Sequence, residues 1–187
     1  MLRPNSSGYA PAIASLLRQL PLAPLGPGTP ERSVKTKLES LDDAAFGGRI
    51  ADQDLAAACR AALWLAFNFL DESHAISQGL HTAEGSYWHG LMHRREPDHS
   101  NAAYWFRKVG THSVFEPLRV AAAELAASAP PDAAFLRKQS AWDPFALNDL
   151  CEANRKETAP CNDLCRQVQR AEWELLFDYC YRRAVSA

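Results

Sequence analysis

Apolar residues recur with helical spacing along most of this chain, and proline and glycine mark the boundaries between segments. Positions three and four apart share one face of an α-helix, so this spacing predicts helices with one buried side. The predicted helices cover about 33–46, 52–79, 83–96, 100–108, 114–128 and 160–184. No stretch alternates apolar and polar residues convincingly over five or more positions, so no sheet is predicted. The pattern favours an all-α fold, a single-domain helical bundle.

The first 33 residues differ from the rest because they hold six of the twelve prolines. A short amphipathic helix is predicted over 12–20, followed by a proline-rich part that is extended or disordered. We therefore divide the chain into a proline-rich N-terminal arm, residues 1–33, and an all-helical domain, residues 34–187. The arm is expected to dock on the domain by simple packing, with partner binding as the alternative.

Composition narrows the class of protein more than it narrows the function. A length of 187 residues with 47% hydrophobic and 22% charged residues is typical of one soluble globular domain. A net charge of −2 argues against a nucleic-acid partner, and the apolar run at 56–70 is too short to span a membrane. With no recognisable secretory signal, five cysteines without framework spacing favour reduced thiols in the cytoplasm. Homo-oligomerisation stays open.

All six histidines lie in the segment DESHAISQGLHTAEGSYWHGLMHRREPDHSNAAYWFRKVGTH, residues 71–112. A predicted turn at 79–83, with Thr82 as N-cap, folds the second helix back antiparallel on the first. His89 and His93 are spaced i, i+4 and share one narrow face. Asp71 and His74 lie about 60° apart and continue the apolar stripe of the first helix. These four side chains are therefore predicted to converge on one point.

A carboxylate and three imidazoles from facing helices form a ligand set for one transition metal ion. We predict that Asp71, His74, His89 and His93 are the ligands. Such a nitrogen and oxygen set suits zinc, iron or manganese, and its imidazole content argues against magnesium or calcium. The His-x₃-His pair lacks the glutamate of HExxH, which excludes that class of zinc protease.

The leading hypothesis is a metal-dependent hydrolase in which the ion activates a water molecule. Proton transfer is assigned to Glu96 or His112. A small anionic substrate is expected, since nearby arginines can bind phosphate or carboxylate and nearby aromatic rings can stack on a planar ligand. The residues assigned to substrate binding are Arg94, Arg95, Trp88 and Tyr104.

Each of these residues also has a structural interpretation. Asp71 could orient His93 in a buried hydrogen-bond network, and Glu96 could pair with Arg94 or Arg95. The alternative function is therefore a non-catalytic helical protein whose His/Asp/Glu cluster fixes the core or binds a small ligand. A metal-free acid–base enzyme is the third hypothesis. Whether the protein is an enzyme stays open at this point.

The block WHGLMHRREPDHSNAAYWFRKVGTH, with DESH before it and QRAEWELLFDYC near the C-terminus, resembles a family of uncharacterised proteins. These blocks cover roughly a fifth of the chain. The resemblance implies no activity, substrate or catalytic residue.

Overall fold

The computed structural model describes residues 8–186, in which helices are the dominant element and the two strands have two residues each, so the prediction of an all-α fold is confirmed. The first seven residues of the predicted arm lie outside the described residues. The α-helices are α1 (Pro11–Leu17), α2 (Lys35–Glu39), α3 (Gln53–Ala66), α4 (Leu70–Ser77), α5 (Ala83–Arg95), α6 (His99–Val109), α7 (Phe115–Leu125), α8 (Phe135–Lys138), α9 (Pro144–Ala153) and α10 (Asn162–Ala184). Short 3₁₀ helices cover Arg32–Val34, Asp43–Phe46 and Pro131–Ala133.

One small strand pair was not expected from the sequence. Strand β1 (Arg49–Ile50) pairs antiparallel with β2 (Val185–Ser186), which directly follows α10. Two residues are too few for an alternating pattern to be recognised. The pair fixes the end of α10 beside the segment that precedes α3.

The predicted helix over 52–79 is wrong in one respect, since the structure has two helices, α3 and α4, separated at 67–69. Asn68 adopts a left-handed conformation with φ 66°, which asparagine tolerates better than most residues. Its side chain is held at both ends. Nδ2 donates to the Thr29 carbonyl at 3.0 Å, and Oδ1 accepts from Arg95 Nη2 at 2.5 Å. The predicted helix over 33–46 is likewise divided into α2 and two 3₁₀ turns.

Polar side chains cap the N-termini of three helices, α3, α5 and α6. Asp52, Thr82 and Asp98 each accept a hydrogen bond from the backbone N–H three residues later. These bonds satisfy amide groups that have no partner inside the helix. The predicted cap Thr82 is confirmed, whereas α6, predicted from residue 100, begins at His99 with Asp98 as its N-cap.

The long helix α10 separates two hydrophobic cores. The first core contains residues of α1, α3, α5, α6 and α10, and the second contains residues of α7, α8, α9 and α10. Helices α5 and α6 come especially close, because Gly90 lies against the Phe106 ring. A Cβ on residue 90 would fall 2.7 Å from Phe106 Cε1, which leaves no room for a side chain there. This close packing brings the α6 side chains beside those of α5.

Candidate metal centre

Three histidines from α4 and α5 meet at one place: His74, His89 and His93, here called the histidine trio. One nitrogen from each ring lies within 4.8 Å of the others, and this is the one such group of metal-ligating side chains among the described residues. The ring centroids are 4.7 Å apart for His74 and His89 and 4.7 Å apart for His89 and His93. His89 and His93 are buried, whereas His74 is half-buried and lies on the open side. The predicted convergence of these three residues is therefore seen in the structure.

Hydrogen bonds orient two rings of the trio. His93 Nδ1 lies 3.0 Å from Glu96 Oε2, and since a carboxylate only accepts, Nδ1–H donates and Nε2 keeps its lone pair. His89 Nδ1 lies 3.0 Å from Ser77 Oγ, which itself donates to the His74 carbonyl at 3.4 Å. When Ser77 donates to the His74 carbonyl, its Oγ accepts from His89 Nδ1–H, and His89 Nε2 keeps its lone pair. Such partners fix the tautomer of metal-binding histidines.

The surroundings keep the buried rings neutral. Burial lowers the pKa of His89 to about 3, and positive charge at His93, His74 and Lys108 acts in the same direction. Burial also lowers the pKa of His93, although the Glu96 carboxylate opposes this effect. Both imidazoles are therefore uncharged near pH 7, which is the state that binds a metal ion.

Helix α6 forms a second wall of the site through Asn101, Trp105 and Lys108. Asn101 Nδ2 lies 3.0 Å from His93 Nε2, and the Trp105 ring centroid lies 4.2 Å from that of His89. Lys108 Nζ lies 4.3 Å from the centre of the Trp105 ring. Sequence reasoning did not assign these residues to the site, although their i, i+4, i+7 spacing was a usable signal.

Asp71, the fourth predicted ligand, does not belong to the site. Its side chain is exposed, and it is not part of the histidine group. The prediction extended the apolar stripe of α3 without interruption, but the break at Asn68 changes the orientation of α4. The buried face of α4 is instead the one that carries Ser73 and Ser77.

The two predicted proton-transfer residues lie in different places. Glu96 contacts His93 on the nitrogen that faces away from the lone pair described above, so it orients that ring. His112 lies across α5, with Nε2 3.5 Å from Glu84 Oε1 and its ring packed against Tyr87. Tyr87 and His89 are two residues apart and project about 160° from one another. His112 therefore does not reach the trio.

The two predicted anion-binding arginines are buried and have other partners. Arg94 Nη2 donates to Glu172 Oε2 at 2.5 Å inside the protein. Arg95 donates to the carbonyls of Gly26 and Pro27 in the N-terminal arm at 2.8 and 3.2 Å. Burial and nearby Arg94 and Arg166 lower the pKa of Arg95 to about 10, so it stays charged at neutral pH. The predicted role of both in substrate binding is therefore wrong.

The two aromatic residues predicted to stack on a substrate, Trp88 and Tyr104, lie in different parts of the structure. Trp88 is completely buried and packs edge-on against Trp173 at 6.0 Å between ring centroids, so it belongs to the core. Tyr104 is 49% exposed and lies 5.4 Å from Trp105 in an edge-to-face arrangement. Tyr104 is therefore the one predicted substrate-binding residue that borders the site from the solvent side.

Comparison with protein-family models, with curated proteins and with solved structures finds no match to this chain. Within residues 8–186, no helix combines the length and the apolar composition needed to cross a membrane. The histidine trio is therefore the feature of the molecule from which a function is inferred.

Proposed function

We propose that this protein binds one transition metal ion, zinc, iron or manganese, through His74, His89 and His93. The observation that carries the proposal is the convergence of one ring nitrogen from each of three histidines within 4.8 Å. Three protein ligands leave a coordination position for water, which is the arrangement of catalytic and not structural zinc sites. Half-buried His74 lies on the side from which an ion and a water molecule enter.

The spacing of the rings requires a small closure on binding. Metal–nitrogen bonds of 2.0–2.1 Å in a tetrahedral site place the nitrogens about 3.4 Å apart. His89 and His93 share α5 and are fixed by Ser77 and Glu96, so His74 is the ring that moves. It is carried by the short helix α4.

The bound ion supports hydrolysis of a small anionic substrate in this proposal. The ion lowers the pKa of a bound water and polarises the bond that the water attacks. Arg94 and Arg95 are buried elsewhere, whereas Lys108 on α6 is exposed and lies over Trp105 beside the trio, where it can attract a substrate anion. Glu96 acts through His93 as a positioning residue.

One observation favours a different function, a metal-free hydrogen-bond network that only stabilises the fold. Asn101 Nδ2 lies 3.0 Å from His93 Nε2, so the amide can donate to the lone pair that a metal ion would use. In this alternative the trio needs no ligand, and Asn101, Ser77 and Glu96 are its partners. Metal binding requires the Asn101 amide to turn away or to present its oxygen to the ion.

Elemental analysis of the purified protein and melting curves with zinc, manganese or iron(II) separate the two functions. We expect one ion per chain and a rise in stability of about 2.7 kcal/mol at an ion concentration one hundred times the dissociation constant. His74→Ala should abolish both, whereas His81→Ala, which removes an exposed histidine of the same hairpin, should leave both unchanged. A substoichiometric metal content, together with melting temperatures that none of the three ions changes, would support the metal-free hydrogen-bond network instead.

The hydrolytic step is tested with the zinc-loaded protein on 4-nitrophenyl acetate and 4-nitrophenyl phosphate. We expect turnover that ends on chelation and returns when zinc is restored. Stoichiometric zinc without turnover of either ester would overturn hydrolysis of these bonds and leave the metal site intact.

A further inference from the structure

The extended part of the N-terminal arm, residues 20–29, is bound by its backbone. Eight of its ten carbonyl groups accept a hydrogen bond from a side chain of the helical domain, at 2.8–3.4 Å. The accepting residues are Leu20, Pro21, Leu22, Ala23, Pro24, Gly26, Pro27 and Thr29. The donors are Asn68, Arg95, Arg166, Gln169 and Arg170, and we call this surface the arm groove.

The arm groove recognises an extended backbone more than particular side chains. Arg166 alone donates to two consecutive carbonyls, Leu22 at 2.9 Å and Ala23 at 3.2 Å. Within residues 20–29, Leu25 is the one fully buried side chain. Prolines lack an N–H and favour an extended conformation, so a proline-rich segment presents carbonyls at low entropic cost. This is a general mode by which proteins bind proline-rich peptides.

The arm fills the groove incompletely. A cavity of about 30 Å³ remains beneath it, lined by Ala23 and Pro21 of the arm and by Leu91 and Trp173 of the domain. The side-chain carbonyl oxygen of Gln169, Oε1, is buried and accepts no hydrogen bond from the described residues. The same side chain donates through Nε2 to the carbonyl of a proline, Pro24, which has no N–H to return.

We propose that the arm groove is a docking site for an extended, proline-containing peptide of a partner protein, and that the chain's own arm occupies it in this structure. The fitting peptide has carbonyls spaced as in residues 20–29. It has a larger apolar side chain where the arm has Ala23, and a residue with an N–H near Gln169 where the arm has Pro24. This inference is independent of the metal site.

Competition with the tethered arm determines the affinity for a free peptide. A segment joined to its own site has an effective concentration in the millimolar range, so a free peptide binds weakly until the arm is loosened. Two substitutions loosen it without changing the donors. Leu25→Ala removes the buried anchor, and Gly28→Ala introduces a Cβ 2.7 Å from Asn68 Oδ1 at a residue with φ 72°.

The test uses a fluorescent synthetic peptide of residues 19–31 added to the full-length protein. We expect each loosened variant to bind the peptide at least about tenfold more tightly than the unaltered chain does. A second peptide with Val for Ala23 and Ala for Pro24 should bind about fourfold more tightly again, since it fills the cavity and supplies an N–H. Two variants are used so that poor folding of one does not decide the result.

Controls assign the binding to the groove. Arg166→Met with Arg170→Met in a loosened variant should remove peptide binding, whereas Arg137→Met, on the separate helix α8, should not. Equal and negligible binding by the loosened and the unaltered proteins would overturn the proposal and make the arm a permanent part of the fold. Dimerisation of the loosened variants, reversed by the free peptide, would also overturn the proposal, because the occupant of the groove would then be a second copy of this chain.

Discussion

Helix α5 carries two polar clusters on opposite faces, and they differ in where their partners come from. On one face, Tyr87 and Arg94 both bond the buried carboxylate of Glu172 on α10, at 2.8 and 2.5 Å. On the other face, His89 and His93 meet His74 beside solvent-accessible residues of α4 and α6. The first cluster balances its charge within the protein. The second has two buried uncharged imidazoles and brings one ring nitrogen from each of three histidines within 4.8 Å of the others.

This difference separates a structural polar cluster from a binding one more clearly than residue type does. Sequence reasoning favoured Arg94 for ligand binding because arginine binds anions well. The structure gives Arg94 an internal carboxylate, so a ligand has nothing to neutralise there. The buried rings of His89 and His93 are suited to an incoming cation, because imidazoles bind ions in their uncharged state.

The largest expected effect is on the buried pair. Arg94→Met should lower the free energy of unfolding by about 3–5 kcal/mol, because it leaves the Glu172 carboxylate buried without a counter-charge. Urea unfolding followed by tryptophan fluorescence measures the loss. Arg94→Met with Glu172→Met removes both charges and should recover much of it. A single variant that loses less than about 1 kcal/mol would contradict the structural role assigned to this face.

The trio should respond to pH in the presence of a chelator. The pKa of His89 is about 3 when folded and near its ordinary 6.5 when unfolded, so the unfolded chain binds the extra proton as pH falls. The contribution of His89 to the free energy of unfolding is therefore fully present above pH 6.5. The free energy of unfolding should fall by about 3 kcal/mol between pH 7 and pH 4. His89→Gln should flatten this slope relative to the unaltered chain. An unchanged slope in His89→Gln would assign the pH dependence to other groups.

The smallest effect compares two acidic residues. Glu96→Gln should weaken zinc binding about tenfold, because an amide orients the His93 ring less well than a carboxylate. Asp71→Asn should change it less than about twofold, because Asp71 is exposed and outside the trio. Isothermal titration calorimetry measures both affinities. Equal losses would mean that α4 presents Asp71 to the ion, contrary to the structure.

The fold was predictable to the extent that local signals decided it. Proline, glycine and helical spacing placed most of α5, α6, α7 and α10 within a few residues of their observed bounds. The division of the helix predicted over 52–79 was not visible, because its cause is non-local. Asn68 is held in the left-handed conformation by Thr29 and Arg95, which lie far away along the chain.

The same break explains which part of the site was predictable. His89 and His93 share one uninterrupted helix, so their i, i+4 spacing was enough to pair them. The position predicted for Asp71 assumed one continuous helix over 52–79, but α3 ends at Ala66 and α4 begins at Leu70. The burial of Arg95 depended on the arm, whose carbonyls it binds. Contacts between distant segments therefore decided the residues for which spacing failed.

The side chain of Asn68 links the N-terminal arm to the helices of the histidine trio. Its nitrogen holds the arm at Thr29, and its backbone sets the direction in which the helix bearing His74 departs. By thermodynamic reciprocity, any change that docking of the arm makes in the metal affinity of the trio is matched by an equal change that metal binding makes in the affinity for the arm.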